Sequence, residues 1–151
     1  MDVDAKLSFT AKEVWNRVQI EFVHHDMPET ISPDIALCFF RIVQEALNNI
    51  VKHSGAKQAR IEFSGTSSAI GLRIVDAGVG FDPGSRAAHG GLGLASMRER
   101  LRLIGGSLAI RSSHMEGTEI LAEAPAVSDP GEFHPRKTEQ NAAKGTIGET
   151  T

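Results

Sequence analysis

Arg41, Glu45, Asn49 and Lys52 recur at steps of four, four and three, so on a helix they fall along one line of its surface. A carboxylate, an amide oxygen and an ammonium in succession suit a divalent cation with a phosphate beside it. Mg²⁺ takes hard oxygen ligands from one or two protein groups plus substrate phosphates, and a lysine answers the phosphate charge. On a helix standing alone, such a stripe is ordinarily a solvated face. Two glycine stretches bear on the choice: Asp76-Ala77-Gly78-Val79-Gly80, and Gly90-Gly91-Leu92-Gly93-Leu94 leading into an apolar-periodic run. The first alone is no more than a turn signal. The second is a phosphate cradle by geometry, because free N–H groups and the positive end of a helix dipole point to one place.

The elements that must position these groups can be read from spacing. Ser32 stands at an N-cap position and Pro33 at the first helical position, and Ala36, Phe39, Phe40, Val43, Ala46, Leu47, Ile50 and Val51 recur at helical spacing. They predict one helix over 33–53 with an apolar band able to cover a sheet. Gly55 follows as a left-handed cap. Residues 17–23 alternate Val18, Ile20 and Phe22 against polar neighbours and predict a half-buried strand, with His24, His25 and Asp26 opening a loop. Adjacent histidines in one loop are poor chelators, and no metal role is assigned to them. Residues 58–64 and 69–76 read as a hairpin, 107–113 and 117–123 as a second strand pair. Leu94, Met97, Leu101 and Ile104 line one face of a second helix that Gly105 and Gly106 end. Residues 1–16 are weakly patterned, and 126–151, rich in Gly, Pro, Glu, Lys and Thr, read as a disordered tail. The domain is expected over 17–125.

The 151 residues carry a formal net charge of -3 and a pI of about 6.1, which gives no general attraction to nucleic acid or to an anionic membrane. The single cysteine, Cys38, lies within the helical apolar run, where it reads as a buried thiol in a reducing compartment. No apolar run approaches the roughly 18 residues that span a bilayer, and the first residues lack the pattern of a signal peptide. The expectation is a soluble cytoplasmic chain without membrane contact, or the cytoplasmic part of a membrane sensor.

Two common phosphate-binding motifs are absent. The chain contains no GxxxxGK[ST] string. The Gly90–Leu94 stretch follows a loop rather than the first strand of a βαβ unit, and Ser96 stands where a dinucleotide fingerprint needs its third glycine. What remains is an ordered set: RIVQEALNNIVKHSGA, DAGVGFD, GGLGLASMRERL and Gly117-Thr118. In that order these strings resemble the N, G1 and G2 boxes of the Bergerat ATP-binding domain, shared by histidine kinases, type II topoisomerases, a heat-shock chaperone family and mismatch-repair ATPases. The QEALxNxxKH string and the MRER helix are similar to sensor kinases of the nitrate- and cell-envelope-sensor subfamily.

The resemblance implies an α+β fold: a two-layer sandwich, its mixed and mostly antiparallel sheet covered on one face by helices. It implies ATP and Mg²⁺ as cofactors. Asn49 would bind Mg²⁺, Lys52 the terminal phosphates, and His53 would lie beside adenine or ribose. Asp76 would accept from the adenine amino group, with Gly78 and Gly80 letting the backbone approach the base. Gly91, Leu92, Gly93 and Leu94 would surround the phosphates, and Thr118 would complete the adenine end directly or through water. Glu45 matches the carboxylate that activates water in the ATPase relatives; here it would orient Mg²⁺ or accept a proton, so Glu45 and Lys52 are the catalytic candidates.

The implied activity is transfer of the γ-phosphate of ATP to a histidine on a separate dimerisation domain, for relay to a response regulator. That histidine domain is not recognisable in the chain and would be supplied in trans or by a parent protein. His25-Asp26 imitates its motif, but only a loop ahead of the N box. Two alternatives use the same fold: a stand-alone serine kinase of the anti-sigma-factor type, and a non-catalytic ATP-sensing module.

Overall fold

A computed structural model describes residues 17–85 and 93–127. The expectations for residues 1–16, for Gly91 and Leu92, and for the tail from 128 lie outside these. Five strands and two helices are described: β1 (Gln19–His25), α1 (Pro33–Asn49), β2 (Gln58–Gly65), β3 (Ala69–Asp76), α2 (Leu94–Leu103), β4 (Ser107–Ser113) and β5 (Gly117–Pro125). The sheet order is β1-β2-β3-β5-β4. β1 pairs parallel to β2, and the other three pairings are antiparallel. This is the mixed, mostly antiparallel α+β sandwich expected from the sequence.

α1 begins as its sequence dictates, with Pro33 in the first turn and the Ala36 amide donating to the Ser32 carbonyl at 3.0 Å. Its buried side chains are Ile35, Cys38, Phe39, Ile42, Val43, Ala46 and Leu47. The buried band is thus rotated toward Ile35 and Ile42, while Ala36 and Phe40 of the expected band lie half-buried at its margin. Instead of running as α-helix to residue 53, the chain passes at Ile50 into a π-type turn, Ile50–Ser54, which Gly55 closes at φ 67°. Such turns cluster at functional sites.

Side chains paired across the sheet fall into rows on one face. Phe22, Ile61, Ile74, Ile120 and Ile110 make one row under the helices. Ile61, Ile74 and Ile120 are buried there with Leu94, Met97 and Leu101 of α2. Each large aliphatic side chain so buried contributes about 1.5–3 kcal/mol. The Cys38 thiol belongs to the same core, where burial pushes its pKa up against a smaller opposing effect of Arg100.

β1 departs from the sequence expectation. It starts two residues later and takes in His24 and His25, which pair with Phe63 and Ser64 of β2. As the edge strand it is only partly covered: Ile20 is half-buried, and Phe22 remains 45% exposed. Alternation correctly identifies the inward side chains without showing how far the helix layer reaches. At the other end, Ala126, assigned to the tail, is buried, and its amide donates to the Ser68 carbonyl at 2.9 Å.

The opposite sheet face carries charge. Arg60 pairs with Glu21 at 2.9 Å, and Glu119 receives Arg73 at 2.6 Å and Arg111 at 3.3 Å. The Arg73 guanidinium, aided by Arg111, holds the Glu119 carboxyl below its ordinary range. A carboxyl depressed on folding contributes stability above its unfolded pKa and loses it as pH falls through the folded value. Wild type should therefore lose more stability than Glu119→Gln as pH falls below about 4.5, by only about 0.2–1 kcal/mol because the pair is solvated. Urea melts at pH 7 and pH 3 measure the difference.

Candidate functional site

At the end of the helix layer lies a cavity of about 280 Å³, walled by Ala46, Ile50, Ile74, Leu94 and Ile120. Its polar lining includes Asn49 from the end of α1, His53 and Ser54 from the π turn, Asp76 from the end of β3 and Thr118 from the start of β5. Gly80 and Phe81 close one side. Asp76 and Thr118 are direct partners in the antiparallel register, so both side chains project from the same face.

Asp76 is the buried carboxylate of the site, 7% exposed. Its Oδ1 accepts from the Ser54 hydroxyl at 2.7 Å and from the Gly78 amide at 2.9 Å. Asp76 also lines the cavity, where its second oxygen can accept. Ser54 is buried too; its hydroxyl accepts from the Ala56 amide at 3.2 Å and its carbonyl from the Val79 amide at 2.9 Å. The π turn after α1 and the loop after β3 are thereby latched together. A Cβ on Gly78 would strike Ser54, so the close approach requires glycine.

Behind Thr118 stands Ser112. Its hydroxyl donates to the Gly117 carbonyl at 2.9 Å, accepts from the Phe81 amide at 2.9 Å and contacts the Thr118 hydroxyl at 2.8 Å. The loop carrying Gly80 and Phe81 is thus fastened at both ends of its turn, with the Met115 amide donating to the Val79 carbonyl at 2.6 Å.

Of the residues singled out in the sequence, Asn49, His53, Asp76, Gly80, Leu94 and Thr118 line the cavity. Gly78 acts behind Asp76. Gly93 starts α2 in the left-handed region at φ 66°, where the Glu45 carboxylate occupies the space a Cβ would need. Glu45 is half-buried; Lys52 is exposed; neither lines the cavity. No group of three or more His, Cys, Asp or Glu residues capable of holding a metal occurs among the described residues.

Ser54 and Ser112, which contact Asp76 and Thr118, were not singled out for the site by sequence reading. Ser112 left a signal, because it occupies the inward parity of β4 after Leu108 and Ile110. Ser54 left none beyond following His53.

Residues 35–128 match the family described as histidine kinase-, DNA gyrase B- and HSP90-like ATPase. The chain belongs to this family and is an ATP-binding domain of the histidine kinase type. It is 31% identical over 110 residues to the signal transduction histidine-protein kinase/phosphatase DegS of Brevibacillus brevis, covering 73% of this chain and 28% of that protein. The Bacillus subtilis (strain 168) DegS is 30% identical over 124 residues, covering 80% and 32%. The chain therefore spans about a third of the length of these relatives. The ATP-binding domain of PrrB from Mycobacterium tuberculosis shares the fold at a TM-score of 0.63 and 23% identity, over 83% of this chain and 95% of that one. The catalytic domain of histidine kinase ThkA does so at 0.64 and 12%, over 83% and 90%.

Proposed function

We propose that this domain binds ATP with Mg²⁺ and presents the γ-phosphoryl group to a histidine on a separate dimerisation domain, from which an aspartate of a response regulator takes it. The observation that carries this reading is the latched Asp76, an acceptor held at the polar end of an otherwise aliphatic slot. A flat heteroaromatic base with an exocyclic amine fits such a slot. The aliphatic walls exclude water from its faces, and Asp76 receives the amine.

Asn49, a lining residue on the last turn of α1, supplies an amide oxygen for the cation that accompanies the phosphates. With no acidic cluster among the described residues, the donor set suits Mg²⁺, which keeps phosphate and water oxygens as most of its ligands. Lys52 and His53 follow on the π turn; in this reading Lys52, exposed beside the cavity lining, meets phosphate charge and His53 the sugar or base. Glu45, beside Gly93 at the start of α2, orients the cation or takes a proton from the acceptor. ATP supplies the activated phosphoryl group; the residues of this chain position and neutralise.

Asn49→Ala should bind metal-free ATP nearly as wild type does, while losing roughly tenfold of the affinity that Mg²⁺ adds. Titrations with Mg²⁺ and with EDTA separate the two. For the activity, γ-labelled ATP is incubated with the chain and the dimerisation domain of a DegS-type kinase. Acid-labile label on the acceptor histidine is expected. Acid-stable phosphate on a serine would point to the serine-kinase reading, and ATP binding without any transfer to a sensing module.

A further inference from the structure

Two serines, Ser54 in the cavity lining and Ser112 behind Thr118, determine which hydrogen-bonding polarity its polar end presents. A serine hydroxyl has one proton. Ser112 gives its proton to the Gly117 carbonyl, so in the 2.8 Å contact with Thr118 it accepts and Thr118 donates. The Thr118 proton is thereby turned away from the cavity, leaving Thr118 to offer a lone pair. On the neighbouring strand, Ser54 and the Gly78 amide both donate to Asp76 Oδ1, which fixes the carboxylate plane and leaves its other oxygen for the cavity. Asp76 and Thr118 are register partners, so both acceptors serve the same end of the slot.

We propose that Ser54 and Ser112 are positioning residues that make this end accept only, and so set a preference for a 6-amino purine over a 6-oxo purine. The inference rests on the nucleotide reading above. A 6-amino group donates to either acceptor. A 6-oxo group meets two acceptors and no donor, and a buried acceptor without a donor is costly; the adjacent N1–H of the 6-oxo ring regains one bond at most, where the 6-amino group can make two. The discrimination then lies partly in Ser112, which does not line the cavity.

The test is competitive binding of ATP and ITP to the full chain, in wild type and in variants whose circular dichroism remains native. Wild type should prefer ATP by about a hundredfold. Ser112→Ala frees the Thr118 hydroxyl to rotate and donate. The ATP:ITP ratio should then fall about tenfold, mainly through tighter ITP binding, and Ser112→Thr should restore it. Ser54→Ala unlocks the Asp76 carboxylate and should lower the ratio severalfold, mainly through weaker ATP binding, with Ser54→Thr restoring it. A merely structural serine would weaken both nucleotides by one factor. An unchanged ratio in both alanine variants therefore overturns the inference while leaving the nucleotide site intact. Wild type that binds both alike also overturns the inference, whereas wild type that binds neither nucleotide overturns the nucleotide reading itself.

Discussion

Asp76→Asn should abolish most ATP binding, by about a hundredfold or more, while leaving the fold in place. The replacement is isosteric, and the asparagine oxygen can still accept from Ser54 Oγ and the Gly78 amide at the positions now 2.7 and 2.9 Å from Asp76 Oδ1. That arrangement directs the new NH₂ group into the cavity. A donor then faces the exocyclic amine, itself a donor, and the pair repels where it formerly bonded. ITP, with an acceptor at the same position, should lose little or gain. Calorimetric titration of both nucleotides, with a thermal melt of each protein, gives the result. Undiminished ATP binding would mean that Asp76 is a structural carboxylate and that the base sits elsewhere.

Gly80→Ala should have the largest effect on stability among the loop substitutions, about 2–4 kcal/mol. Gly80 has φ 62°, and a Cβ there would be driven into the Ser113 carbonyl. The surrounding loop cannot yield easily. The Phe81 amide is bonded to Ser112, the Val79 amide to Ser54 and the Val79 carbonyl to the Met115 amide. Gly55→Ala is the internal control: its φ is 67°, but nothing lies within 4 Å of a Cβ. It should cost only the left-handed backbone penalty of about 1 kcal/mol. Urea unfolding of both variants separates collision from conformational preference. Equal losses would show that the loop around Gly80 gives way.

These expectations also show where sequence patterns carry and where they stop. β3 and β4 have their expected bounds because alternation of buried and exposed side chains is the whole physical constraint on an interior or hairpin-paired strand. β1 does not, because its ends follow its parallel register with β2, and that partner lies beyond an intervening helix. The polar stripe read from spacing contains Asn49, which lines the cavity, and equally Lys52, which is exposed and outside it; His53, a lining residue, was named by the resemblance and not by the stripe. Periodicity cannot say where a helix gives way to a π turn, and the turn at Ile50–Ser54 decides which of these residues face the slot. The Ser54–Asp76 bond joins residues 22 apart through one hydrogen bond. It became visible only when β3 and the end of α1 were brought together.

¹⁵N chemical-shift mapping of the full chain titrated with ATP and Mg²⁺ locates the nucleotide site residue by residue. Saturable shifts are expected at Asn49, Ser54, Asp76, Gly78, Gly80 and Thr118, with the Asn49 changes depending on Mg²⁺. Shifts concentrated instead around Phe22, Phe40 and Phe63, which border a separate apolar groove between β1 and α1, or no saturable shifts in a folded protein, would contradict this placement.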